Sequence, residues 1–152
     1  MKLRLPGISD AYRLAWRSAR HLPVSLGYSL AHAFADIVWV WYCLRPITAV
    51  EQLERNFSRL LPPGIPPRVL RLITRAGLRS YTRYFYEVFA LPGITPEQVL
   101  ARVRADVDPQ LHEDVRQGNV IIALPHMGNW DLIGAWACRE LATVLTVAER
   151  LK

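Results

Sequence analysis

The sequence predicts an α/β fold in which amino-terminal helices, a membrane-associating hairpin and a helical scaffold, lead into the start of an α/β sheet. Three observations predict it. Val24 to Leu44 is apolar over a helix-length stretch, behind a basic segment that carries aromatic residues. Arginines recur at three- and four-residue steps from Arg68 to Arg83, the spacing of one helix face. Val120 to Leu124 is a β-branched, apolar run closed by Pro125, which suits a buried parallel strand. Residues 1–45, 46–118 and 119–152 are accordingly expected as membrane-associating helices, scaffold and strand-turn-helix-strand of one domain.

Met1 to Leu22 is punctuated by arginines and lacks the apolar core of a secretion signal. From Asp10, read as an N-cap, Arg13, Arg17 and Arg20 share one helix face while Tyr12, Ala15, Trp16 and Ala19 share another. Such a helix can lie in the headgroup plane of an anionic bilayer, or pack its aromatics on a neighbouring helix beneath a solvated arginine face. Pro23 marks the next helix start. Val24 to Leu44 is apolar enough to suggest a span, but His32 and Asp36 lie one turn apart near its middle, and a mid-bilayer aspartate costs roughly 2.5 to 3.5 kcal/mol. A membrane-embedded or core-packed hairpin is the expectation, with Trp39, Trp41 and Tyr42 at interfacial depth. His32 and Asp36 are read as structural, because a helix interior offers no adjacent cleft.

The scaffold comes next. Thr48-Ala-Val-Glu51 reads as a capping box, followed by Val50, Leu53, Phe57 and Leu60 at core-facing spacing. Pro62-Pro-Gly-Ile-Pro-Pro67 breaks the chain, and a long helix is expected from Pro67 to Phe89. Leu70, Ile73, Tyr81, Tyr84 and Phe85 would form its buried side. Arg68, Arg71, Arg75, Arg79 and Arg83 would form a stripe, more often solvated than binding. Leu91-Pro-Gly93 stops that helix, Thr95-Pro-Glu-Gln98 opens another with a capping box, and Asp108-Pro109 opens a short helix carrying an exposed His112. His21 is read as a helix-end residue.

The chemistry gathers in the last segment. His126 is expected at the carboxyl end of the strand, Gly128 in a sharp turn, Asn129 as N-cap, and Trp130 to Leu141 as a helix with Asp131 in its first turn. If the turn folds Asp131 back, its carboxylate accepts the Nδ1 proton of His126 and leaves Nε2 free to take a proton from a hydroxyl. Gly128, Asn129 and Trp130 would place backbone N–H groups at the helix start, where an oxyanion or phosphate can be held.

His126-Met-Gly-Asn-Trp-Asp131 resembles the first signature block of the lysophospholipid acyltransferase superfamily, in the form found in bacterial lipid A and phosphatidylinositol mannoside acyltransferases. Glu51 to Pro62, Gly77 to Glu87 and Thr143 to Arg150 resemble the phosphatidylinositol mannoside branch in order and spacing. The resemblance implies transfer of a fatty acyl group from acyl-coenzyme A to a mannose hydroxyl of a phosphatidylinositol mannoside. The setting it implies is the cytoplasmic face of the cell membrane, with the protein peripheral or monotopic on an anionic surface. It also implies that His126 is the general base, that Asp131 orients it, and that Glu149 lies near the substrate groove. Acyl-coenzyme A would be a substrate, and no cofactor is implied. Family members run further than Lys152, so a truncated acyltransferase sheet is expected, with an unpaired edge after Thr143 to Val147 and little turnover by this length of chain alone.

Composition fits without deciding. A chain of 152 residues with 51% hydrophobic residues can bury one core. Its net charge of +6 permits anionic lipid, coenzyme A phosphates or nucleic acid. Nucleic acid is not expected, because no recognition module accompanies the charge. No metal site is expected, since His126 and Asp131 supply at most two ligands, and no Gly-x-Ser-x-Gly elbow marks a serine hydrolase. Cys43 and Cys138 are read as reduced thiols. The remaining alternatives are a lipid A type enzyme that takes its acyl chain from acyl carrier protein, and an inactive membrane-binding fragment.

Overall fold

The computed structural model describes residues 8–118, 120–125 and 127–146, with side chains from Tyr12 onward. It divides into two compact units, Met1–Ala90 and Leu91–Lys152.

The first unit is built around one long helix. Helices α1 (Ile8–Ala19), α2 (Val24–Leu44) and α3 (Thr48–Leu60) all pack against α4 (Pro67–Ala90). The contacts of α2 explain its course. Gly27, Ala31 and Ala35 are buried at four-residue spacing, so small side chains let the two helix backbones approach. A Cβ at Gly27 would lie 2.0 Å from the Tyr86 ring. Tyr28 donates its hydroxyl to Glu87 at 2.9 Å, and the Tyr28 and Tyr86 rings meet edge to face at 5.6 Å. Farther along, Asp36 lies against Arg75 and Arg79, so rising numbers on α2 meet falling numbers on α4 and the pair is antiparallel. Phe57 of α3 packs over Gly77, and Tyr12 and Trp16 of α1 both meet Phe89 edge to face. Tyr42 donates to Glu54 at 3.0 Å; burial, together with that bond, raises its phenol above the usual range.

The opposite face of α2 has no such cover. Leu30, Phe34, Ile37, Trp41 and Leu44 recur at helical spacing and are all more than half exposed. Among the described residues, no single helix is long and apolar enough to cross a membrane. By length and composition, α2 and α3 together could form a broken span, bent by 93°.

In the second unit, a 3-10 turn at Leu91–Gly93 ends the preceding helix, and α5 (Pro96–Arg102), α6 (Pro109–Gln117) and α7 (Trp130–Glu140) follow. Thr95 and Gln98 form the expected reciprocal capping box. Asp108 caps α6 by accepting from the Gln110 N–H at 2.8 Å, and His112 is exposed. Val99 is buried where α5 packs on α7.

The expected α/β sheet is not present among the described residues, where every regular element is helical. Val120 to Leu124 forms no strand and Ile121 is 98% exposed; residues 143–146 form none either, and Leu145 is 95% exposed. A β-branched apolar run reports what a strand would bury, but a strand exists only through a ladder partner, and neither run has one among the described residues. Smaller corrections share this logic. Thr48 is the first residue of α3 and makes no side-chain cap; Ile47 takes the N-cap position and its carbonyl receives the first-turn N–H groups. The helix expected to open at Asp10 already runs from Ile8. Leu60 and Tyr81, expected inside, are exposed, while Thr74 and Leu78 are the buried residues of α4.

Candidate active site

The site expected from sequence falls in the second unit, at the start of α7. The peptide before it makes a tight turn, with the Met127 N–H donating to the Pro125 carbonyl at 2.7 Å. Gly128 follows at φ +65°, the left-handed region that a side chain disfavours, so a glycine is the residue that reverses the chain here without strain. Asn129 is the N-cap, and its Oδ1 accepts from the Leu132 N–H at 3.0 Å. Trp130 and Asp131 occupy the first turn of α7, both half-buried, and the helix extends to Glu140, one residue short of the expected Leu141. An acidic residue in a first turn is favoured by the helix dipole.

The turn, the cap and the place of Asp131 thus stand where the sequence puts them. The strand expected to present His126 does not. His126 and Glu149 lie outside the described residues, as does Asn119. At this helix start the Leu132 N–H is taken by the side chain of Asn129. Packed beside this helix, α5 carries Glu97, whose carboxyl is lowered by the Thr95 hydroxyl and the local backbone, with a smaller contribution from Arg139 on α7. Among the described residues, no three His, Cys, Asp or Glu side chains converge as a metal would require.

The first unit holds a charged cluster whose members lie in separate stretches of the sequence. Asp36 pairs not with His32 but with α4, accepting from Arg75 Nε at 2.9 Å, from Arg79 Nε at 2.9 Å and from Arg79 Nη2. Arg79 and Arg75 hold its carboxyl well below the usual carboxylate range. Arg83 lies 3.3 Å from Glu87 and 5.7 Å above the Tyr28 ring. The stripe expected to be solvated is therefore partly turned onto α2. The available signal was a lone aspartate in an apolar helix, a group that needs a cationic partner, with arginines at four-residue spacing on another helix.

Comparison with known proteins shows the expected family. The sequence profile of bacterial lipid A biosynthesis acyltransferases matches residues 3–152. A phosphatidylinositol mannoside acyltransferase of Mycobacterium tuberculosis is 35% identical over 146 residues, covering 93% of this chain and 44% of that relative. Its counterpart in Mycolicibacterium smegmatis is 35% identical over 145 residues with the same coverage. The chain spans less than half the length of these relatives, and no solved structure matches it. A profile match over nearly the whole chain identifies it as a member of the bacterial lipid A biosynthesis acyltransferase family.

Proposed function

We propose that the protein works as an acyltransferase that moves a fatty acyl group from acyl-coenzyme A to a mannose hydroxyl of a phosphatidylinositol mannoside. The observation that carries this reading is the His126 to Asp131 block, ending on the first turn of α7, in a chain about one third identical to enzymes named for that lipid. In this reaction Asp131 accepts the Nδ1 proton of His126 and holds the imidazole, and Nε2 takes the proton of the mannose hydroxyl. The sugar oxygen attacks the thioester carbonyl, the carbon–sulfur bond breaks, and the departing coenzyme A thiolate recovers the proton from the imidazolium. Nothing is oxidised or reduced. The exposed apolar face of α2 supports peripheral seating on a membrane, which in this reading is the cytoplasmic side of the cell membrane.

The test is acyl transfer by the protein expressed from its complete reading frame, read by mass spectrometry of phosphatidylinositol mannosides after incubation with acyl-coenzyme A or acyl carrier protein. An added acyl mass with acyl-coenzyme A, lost in His126→Ala while vesicle binding persists, is expected. Transfer from acyl carrier protein alone would make it a lipid A type enzyme instead. Undiminished turnover in His126→Ala would remove the assigned base.

A further inference from the structure

We propose that the groove between α2 and α4 is a binding site for a phosphate group, a phosphomonoester or phosphodiester, held by His32, Arg75, Arg79, Ser80 and Arg83. These side chains line one open depression of about 300 Å³. The inference stands apart from the acyl-transfer reading, because it uses only residues of the first unit.

Charge is the first argument. Three guanidinium groups line the groove, and the carboxylates facing them are Asp36 and Glu87, so a positive charge remains uncompensated. Arg75 and Arg79 share the one carboxylate of Asp36. Glu87 also accepts the Tyr28 hydroxyl, which divides its attention between a neutral and a charged donor.

Donor geometry is the second. Arg75 turns only its Nε edge to Asp36, which leaves its Nη edge available to an anion in the groove. Arg75, Arg79 and Arg83 are successive i, i+4 positions of α4, about 6 Å apart along the axis, close enough for one tetrahedral anion to bridge neighbours. Ser80 adds an exposed hydroxyl from the same helix, and His32 adds an imidazole from the opposite wall. Asp36 serves here as a positioning residue. It holds two flexible arginine side chains in place, so less rotamer freedom is lost when the ligand arrives. Guanidinium forks match phosphate oxygens in a way a point charge does not.

The experiment titrates inorganic phosphate into the full chain by calorimetry against chloride at equal ionic strength. In parallel it measures sedimentation with phosphatidylcholine vesicles, with and without phosphatidylinositol. Saturable phosphate binding, or selective binding to the inositide vesicles, weakened about tenfold in Arg75→Gln and Arg83→Gln, supports the site. Binding in the first arm alone points to a soluble phosphate, and binding in the second alone to a lipid headgroup. Ser80→Ala and Arg83→Gln alter exposed side chains and keep the test usable if Arg75→Gln fails to fold. Asp36→Asn is expected to lower resting stability and to weaken phosphate binding, because the arginines it holds must then be ordered by the ligand, and Asp36→Glu is expected to restore binding. No saturable binding in either arm, or binding indifferent to both arginine variants, would overturn the proposal.

Discussion

Asn129 and Gly128 show how little chain is needed to aim a carboxylate. The glycine at φ +65° reverses the backbone, the asparagine closes the first turn of α7 through Leu132, and Asp131 is thereby carried on a fixed helix end. Removing the cap in Asn129→Ala should cost about 1 kcal/mol of local stability, seen as faster hydrogen exchange at the Leu132 N–H; unchanged protection would show that the cap does not hold the turn. Asp131→Asn tests the chemistry instead. If Asp131 orients the imidazole as proposed, transfer should fall by about 10² to 10⁴, while vesicle binding and the unfolding midpoint stay near those of the parent. These residue-scale features were legible beforehand because they are local: a cap, a left-handed glycine and a first-turn acid depend on neighbours within four positions. The expected placement of His126 depends on a strand, a non-local object, and that strand is absent from the described residues.

At the scale of elements, helix boundaries were legible wherever a proline or glycine punctuates the chain, as at Pro23, Pro67, Gly93 and Gly118. Which face each helix buries was less so. The small residues Gly27, Ala31 and Ala35 carry the α2–α4 contact, although the bulkier apolar residues of α2 are the ones hydropathy favours for the inside. Gly27→Ala should gain about 1 kcal/mol in helix propensity and lose about 1 to 3 to the Tyr86 ring, a net destabilisation of up to about 2 kcal/mol by urea unfolding. A stabilised variant would show that the two helices can separate freely. Asp36 adds a pH dependence. Its folded pKa is depressed by Arg79 and Arg75, so the protonation-linked stability is fully present above the unfolded carboxylate pKa near 4 and is lost as pH falls toward the lower folded value. The stability difference between parent and Asp36→Asn should accordingly be constant from about pH 8 to 5 and shrink in stronger acid. A difference that instead shrinks on going alkaline would reverse the assignment.

At the scale of the molecule, one apolar face of α2 remains uncovered, from Leu30 to Leu44, with Ile37 66% and Leu44 75% exposed. Large exposed apolar patches commonly mark contact with a membrane or partner. Replacing Phe34 and Ile37 together by glutamate should lower partition onto anionic vesicles by about tenfold or more without unfolding the first unit, since neither residue is buried. Binding unchanged by both charges would move the membrane contact elsewhere.

By itself the sequence determined the family, the helices of the described residues to within a few positions, the turn before α7 and the position of Asp131 in its first turn. Each of these is written in short-range spacing, propensity or a motif. Only the tertiary structure decided that Asp36 joins Arg75 and Arg79 rather than His32, that α2 buries its small residues and exposes its large ones, and that the two β-branched runs form no ladder among the described residues. The physical reason is that an ion pair, a helix face and a strand each require a partner far away in the chain. Local pattern states what a segment can bury, and packing alone selects what it meets.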